Sequence, residues 1–298
     1  MSQSLSTISS NDQLEKIKTG LFVLALFKDQ KINKTIDVFF NGQLSSAMKI
    51  EKFNGEFLKR FSVYSSNNIN KVLVIGLGEK SKYKNEQSRI VASILSRIVN
   101  GSKLNKVFVD GKSFLLKNEI ICQSFFEGLE LGNYEFIDYK TQNVKANTFQ
   151  KVGVFGDYSK AGVSKGLIVG RSVNYARSLG NHPANILTPT YLANESKRIA
   201  KAKNMKCTIT DVSKFEKMGL GSFYGVARGA KEPAKMIIVE YNGGPKSQKP
   251  IALVGKGLTF DTGGISLKPG ARMDEMKFDM CGSATVMGVM NIVSVLQP

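Results

Sequence analysis

The sequence predicts an α/β protein in two parts, a mixed-sheet α/β domain followed by a doubly wound α/β domain. Its 298 residues exceed the length of one average domain. Short apolar, strand-like runs alternate with segments whose apolar residues recur at helical spacing. Residues 251–255 are almost wholly apolar and end in glycine, which is typical of a strand buried on both faces of a mostly parallel sheet. Such alternation indicates a layered α/β fold.

The first domain is predicted over residues 12–155. The polar residues 1–11 before it are predicted to be disordered. Helical spacing of apolar residues predicts helices over 86–98 and 117–131. Strands are predicted at 21–27, 38–40, 61–64, 71–78, 106–109 and 151–155. The run 71–78 ends in two glycines, but the third glycine of a dinucleotide-binding turn is absent. Dinucleotide binding is therefore disfavoured.

The second domain is predicted over residues 156–298, after a glycine-containing polar stretch that marks the boundary. Helices are predicted at 165–179, 191–202, 212–218 and 281–290, and strands at 208–210, 235–240 and 251–254. Strand and helix alternation of this kind is typical of a doubly wound domain.

The composition is that of a soluble protein with a strong positive charge. The formal net charge is +18, but the charge is mostly scattered lysine, which favours a general lysine-rich composition over a nucleic-acid-binding patch. Three cysteines without C-x-x-C spacing predict reduced thiols in a cytoplasmic protein. The apolar run 21–27 is too short to span a bilayer and lacks a signal-peptide pattern, so no membrane partner is expected.

The candidate metal-binding and catalytic residues are Lys256, Asp261, Lys268 and Asp279. These residues follow the predicted strand at 251–255, and α/β sheets place ligand sites beyond the carboxyl ends of their strands. Carboxylates suit divalent cations, and two-metal hydrolases hold such ions close together. A lysine amine joins them only when it is deprotonated. The spacing leaves two interpretations open: a dinuclear metal site, or two surface salt bridges on a glycine-rich loop.

Four ordered segments resemble one known family. Residues 255–269, with the sequence GKGLTFDTGGISLKP, resemble the metal-site signature of the cytosolic leucyl aminopeptidases. Residues 181–189, 225–230 and 238–243 resemble the other recurring stretches of that family, in the same order. The resemblance is clear from about residue 166 onward and weaker before it.

The resemblance assigns a role to each candidate site residue. It implies that Lys256, Asp261 and Asp279 are metal ligands, with Asp261 bridging two ions. It implies that Lys268 is catalytic and polarises the scissile carbonyl. It also implies that Asp279 receives the substrate's free amine and that Met276 lines the pocket for the first side chain of the substrate. The single histidine, His182, is interpreted instead as a structural loop residue, because no nucleophile accompanies it.

The resemblance also implies an activity. The implied enzyme is a metal-dependent aminopeptidase, which acts on peptides with a free N-terminus. It would release their N-terminal residues, with leucine-type preference, by attack of a metal-bridging water. The implied cofactors are two divalent ions, Zn or Mn, with bicarbonate in the full-length enzyme, and the implied assembly is a homo-hexamer.

One departure from the family pattern affects this expectation. The family's downstream motif Asn-Thr-Asp-Ala-Glu-Gly-Arg does not occur in the sequence. Residues 156–298 are therefore expected to be the first part of a truncated catalytic domain, inactive alone. The alternatives are a DNA-binding regulatory protein and a non-catalytic pseudoenzyme of the same fold.

Overall fold

The computed structural model describes residues 5–8, 13–142, 144, 146–245 and 247–298. The chain divides into two compact units, one ending at Arg171 and the other running from Ser172 to Pro298. The division falls within a helix, Lys160–Asn181, and not at the predicted boundary between residues 155 and 156. The reason lies in the first turns of that helix, where a Cβ atom added to Gly162 or Gly166 would lie within 3 Å of the helix Glu119–Gly132. These turns therefore belong to the first unit.

The first unit is built on a six-stranded mixed sheet. Its strands are β1 (Ser6–Thr7), β2 (Phe22–Phe27), β3 (Arg60–Tyr64), β4 (Lys71–Gly78), β5 (Lys106–Asp110) and β6 (Lys151–Phe155), in the order β1-β6-β5-β2-β4-β3. Only β3 runs antiparallel to its neighbour, pairing with β4. Its helices are α1 (Lys34–Phe39), α2 (Gln43–Ile50), α3 (Asn85–Gly101) and α4 (Glu119–Gly132). The mixed-sheet α/β fold predicted for this part of the chain is confirmed.

The side chains of β2 alternate between two apolar layers. Val23 and Ala25 belong to one buried cluster, which contains residues of α3 and α4. Phe22 and Leu24 belong to a second cluster, which contains residues of α1 and α2. The sheet is therefore covered on both faces, which explains why its central strands are continuously apolar and not alternating.

Two segments of the first unit differ from the sequence prediction. Residues 38–40, predicted as a strand, form the end of α1 and the residue after it, and the side chain of Asn33 caps the start of that helix. Such caps compete with extended structure. Residues 5–8 fall in the predicted disordered start, yet Leu5 is buried and β1 pairs with β6. The remaining residues of the predicted disordered start, 1–4 and 9–11, lie outside the described residues.

In the described residues of the second unit, a two-stranded sheet is accompanied by α-helices. Helix α5 (Lys160–Asn181) enters this unit and is followed by α6 (Pro189–Ile199), β7 (Met205–Asp211), α7 (Gly221–Ala227), β8 (Lys235–Tyr241) and α8 (Cys281–Leu296). The strands β7 and β8 pair antiparallel. The buried cluster consists of side chains from α5, α6, α8 and the loops between them: Leu179, Leu187, Leu192, Ile199, Met280, Ala284 and Met287. A short 3-10 helix, Met273–Met280, leads directly into α8.

The strand predicted at 251–254 does not form. These residues have no regular secondary structure, and Ile251 and Val254 are 86% and 95% exposed. A strand that is apolar on both faces needs cover on each side and hydrogen-bonding neighbours. The described part of the second unit provides neither.

The helix predicted at 281–290 is observed within a longer helical run, Met273–Leu296, of which few residues are buried. By length and composition alone it could cross a membrane, although core helices of soluble proteins meet the same criteria. Within α8, Ala284, Met287 and Gly288 are the buried residues. Gly288 lies against Ser172 and Ala176 of α5, so α8 buries one face on that helix.

Candidate metal centre

The loop after residue 254 brings Asp261 and Lys268 together. The Oδ2 atom of Asp261 accepts a hydrogen bond of 2.8 Å from Nζ of Lys268, and its Oδ1 atom accepts one of 2.9 Å from the backbone N–H of Gly263. The loop closes on itself because the N–H of Lys268 donates to the carbonyl of Thr262 at 2.9 Å. Gly263 and Gly264 have φ values of +93° and +83°, a conformation that favours glycine.

These contacts stabilise the charged form of Asp261. Its pKa lies below the ordinary value, first because Lys268 donates to it and then because the Gly263 N–H does; the charge of Lys256 contributes as well. The influence of Lys256 shows that the two lysines and Asp261 share one electrostatic environment.

The second pair joins the loop to the short helix that precedes α8. The Nζ atom of Lys256 donates to Oδ1 of Asp279 at 2.8 Å. This contact raises the pKa of Lys256 above its ordinary value. The side chain of Lys256 is 57% exposed, whereas that of Asp279 is 18% exposed. Asp279 therefore lies on the inner side of the pair.

The other carboxylate oxygen of Asp279 has an unusual environment. Its Oδ2 atom is buried and has no hydrogen-bond partner within the described part of the chain. A buried carboxylate oxygen without a partner is costly, because desolvation is not compensated. An incoming cation would remove that cost, since carboxylate oxygens are preferred ligands of hard and borderline divalent ions.

Met276 connects the two pairs to the helix that precedes α8. Its Sδ atom lies 3.2 Å from Nζ of Lys268. Met276 and Asp279 both belong to Met273–Met280, so one short helix presents both side chains. The five side chains singled out by the sequence thus form one cluster: Lys256 with Asp279, and Lys268 with Asp261 and Met276.

The cluster combines both interpretations that the spacing left open. The two salt bridges exist, and the orphaned oxygen of Asp279 fits a cation site. Within the described ranges, no three His, Cys, Asp or Glu side chains lie together as a metal site would require. The donors present would therefore supply only part of a dinuclear shell.

Some features of the site carry no recognisable sequence signal. Sequence reasoning did not assign which lysine pairs with which aspartate, because both lysines are within reach of both carboxylates by spacing. It also did not identify the support of Lys256, whose carbonyl accepts a 2.8 Å hydrogen bond from the N–H of Ser283. The ring of His182 lies 5.9 Å from that of Tyr191, a contact that suits its interpretation as a structural loop residue.

Two profiles of one known protein family match the chain. The profile of the Cytosol aminopeptidase family, N-terminal domain, matches residues 23–143, and the profile of its catalytic domain matches residues 174–298. The chain belongs to the cytosol aminopeptidase family. The matched segments also fall on either side of Arg171, in agreement with the two compact units.

Several curated cytosol aminopeptidases resemble the chain along nearly its whole length. A probable cytosol aminopeptidase from Nitrosococcus oceani is 36% identical over 300 residues, which is 95% of this chain and 60% of the relative. The cytosol aminopeptidase of Pseudomonas aeruginosa is 34% identical over 301 residues, with the same two coverages. The chain thus spans about 60% of the length of these relatives.

Solved structures show the same fold. A mutant of tomato leucine aminopeptidase matches the whole chain with a TM-score of 0.81 at 24% identity, and the match covers 61% of that protein. The bottromycin maturation enzyme BotP in complex with Mn matches 94% of the chain with a TM-score of 0.74 at 23% identity, covering 57% of that protein. The α/β fold class predicted from the sequence is therefore confirmed.

Proposed function

We propose that this chain carries the lysine and aspartate part of a dinuclear metal centre in an aminopeptidase that releases N-terminal residues, with leucine-type preference, from peptides. The observation that carries the proposal is the cluster itself. Lys256 and Asp279 form one pair, Lys268 and Asp261 form the other, and a buried oxygen of Asp279 has no partner. Membership in the cytosol aminopeptidase family supports the reaction class.

Lys256, Asp261 and Asp279 would hold two divalent ions, Zn or Mn. The solved BotP complex contains Mn, which is a property of that protein. Without a cation, the lysine ammonium groups balance the carboxylate charges. A lysine amine binds a cation only after losing its proton, so Lys256 would hold an ion only as the neutral amine, without its ion pair to Asp279. When bound, such ions supply Lewis acidity and lower the pKa of a water molecule.

The remaining side chains would act on the substrate directly. The ammonium of Lys268 would polarise the scissile carbonyl and stabilise the negative charge that develops on its oxygen; loss of one such donor typically costs about 3–4 kcal/mol. Asp279, together with one metal ion, would receive the free amine of the substrate. Met276, 3.2 Å from Lys268, would form a flexible apolar wall for the first side chain.

The proposal extends to features that rest on the family resemblance alone. They are a peptide substrate with a free N-terminus, a cytoplasmic location, a homo-hexamer, and bicarbonate acting as base in the full-length enzyme. We also propose that the chain alone is inactive, because two carboxylates and one amine are too few donors to complete two metal shells.

Calorimetric titration of Mn and Zn into the purified chain tests the metal assignment. The wild type is expected to show saturable binding, and Asp279→Asn should weaken it by at least about tenfold, in line with losses for altered metal-site residues. Asp274→Asn is the matched control, because Asp274 is exposed and lies on the same short helix. Equal affinity in the wild type and Asp279→Asn, or no saturable binding in the wild type, would contradict the proposal.

A further inference from the structure

The backbone around Lys256 lies directly against the first turn of α8. A Cβ atom added to Gly255 would lie 2.6 Å from the carbonyl oxygen of Gly282, and one added to Gly282 would lie 2.8 Å from the backbone nitrogen of Lys256. Real Cβ atoms essentially never approach other atoms that closely. Neither position therefore has room for a side chain unless one backbone moves away from the other.

Neither glycine is needed for its backbone conformation. Both lie outside the positive φ region, unlike Gly263 and Gly264. Within α8, alanine at position 282 would by propensity alone favour the helix over glycine. The close backbone contact is the feature that requires glycine at both places.

This contact lies between the two members of an ion pair. Gly255 precedes Lys256, and Gly282 comes one turn after Asp279. A hydrogen bond joins the two backbones here, because the N–H of Ser283 donates to the carbonyl of Lys256 at 2.8 Å. That N–H belongs to the first turn of α8, where no partner exists within the helix. The direction in which Lys256 enters the cluster is thus set by the start of α8.

We infer that Gly255 and Gly282 are positioning residues, whose backbone contact holds Lys256 against Asp279. The importance of this contact for a metal centre rests on the function proposed above. The contact itself, and its effect on the pair of Lys256 and Asp279, are independent of that function. A side chain at either glycine pushes the backbone of Lys256 away from α8, breaks the bond from Ser283 and releases Lys256 from Asp279.

The pair can be measured without metal or activity. A carbodiimide activates a carboxylate, and a nearby amine then displaces the urea to form an amide without a spacer. The reagent should therefore join Lys256 to Asp279 and Lys268 to Asp261, each pair being 2.8 Å apart. Mass spectrometry of peptides resolves the two cross-links. Exchange of the Ser283 amide, followed by NMR, reports separately whether the backbone contact is intact.

Gly257 provides the matched control. It flanks Lys256 on the other side, and a Cβ atom there would meet the Ser283 side chain at 3.5 Å, an ordinary contact. In Gly255→Ala and Gly282→Ala, we expect fast exchange at Ser283 and loss of the cross-link from Lys256 to Asp279. The cross-link from Lys268 to Asp261 should persist. Gly257→Ala should keep both cross-links and a protected Ser283 amide.

Three outcomes would overturn the inference. If Ser283 exchanges quickly while Lys256 still cross-links to Asp279, the contact does not position the lysine. If both cross-links disappear together in both variants, the glycines support the fold and not the pair. If neither readout changes, the contact is dispensable. A failure of metal binding in the wild type would leave these measurements unaffected, so the inference and the proposed function are tested separately.

Discussion

The ammonium of Lys268 touches both the carboxylate of Asp261, at 2.8 Å, and the thioether of Met276, at 3.2 Å. One lysine therefore links the glycine-rich loop to the helix that presents Asp279. In contrast to Lys256, which pairs with the carboxylate that has an orphaned oxygen, Lys268 pairs with a carboxylate whose two oxygens are both hydrogen-bonded. This difference suggests different roles for the two lysines.

The first prediction separates the two lysine roles. Lys256→Ala should reduce metal affinity in calorimetric titration, because it removes a ligand. Lys268→Ala should leave affinity unchanged or improve it, because it frees Asp261 from its salt bridge. The two variants remove the same charge and serve as controls for each other. The opposite order of affinities would show that the roles are reversed.

The second prediction concerns activity. The chain is expected to release no appreciable leucine from leucine amide, even with added Zn, Mn or Co, because its described donors form only part of two metal shells. The cytosol aminopeptidase of Pseudomonas aeruginosa, assayed under the same conditions, serves as the reference. Turnover by this chain comparable to that of the reference would show that the donors present are sufficient.

The third prediction concerns the exposed stretch at 251–254. Apolar side chains this exposed favour self-association. Replacing Ile251 and Val254 with lysine should reduce aggregation measured by light scattering. The control is a double variant in which the exposed Val38 and Ile50 of the first unit are replaced with lysine. It adds the same charge outside the stretch 251–254. Equal improvement in both double variants would indicate a general effect of charge.

The fourth prediction concerns the ion pair between the exposed Arg171 and the buried Glu130 in the first unit. The side chain of Glu130 is 3% exposed and accepts hydrogen bonds from Nε of Arg171 and from the N–H of Leu5. Arg171→Ala should lower the free energy of unfolding by about 1.5–3 kcal/mol near neutral pH, because it removes the charged donor from a buried carboxylate that keeps the hydrogen bond from Leu5. Lys165→Ala, which breaks an exposed pair with Glu119, should cost less than about 1 kcal/mol.

The same pair predicts a direction of pH dependence. Burial raises the pKa of Glu130 above its ordinary value, with Arg171 opposing the rise. The folded state therefore binds the proton more tightly than the unfolded state, and stability falls as pH rises from the unfolded value, about 4.3, through the folded pKa. Arg171→Ala removes the opposing charge, so its penalty in urea unfolding should grow as pH increases over this window. A penalty that shrinks with rising pH would contradict this account.

Local pattern predicted most of the first unit well. The strand predicted at 71–78 is observed as Lys71–Gly78, because its apolar run is bounded by polar residues and glycine and is covered on both faces. The strand predicted at 38–40 was wrong, because a side-chain cap from Asn33 and the helix it starts override the β preference of Val38 and two phenylalanines.

The sequence by itself determined the family and the five side chains of the candidate site, because their types and spacing form a specific motif. Only the tertiary structure decided which lysine faces which aspartate and which oxygen stays without a partner. Pairing depends on the direction of each backbone, and that direction is set by contacts such as the one between Gly255 and Gly282, more than twenty residues apart. The exposure of residues 251–254 has the same origin, since an apolar run becomes a buried strand only where other segments pack beside it.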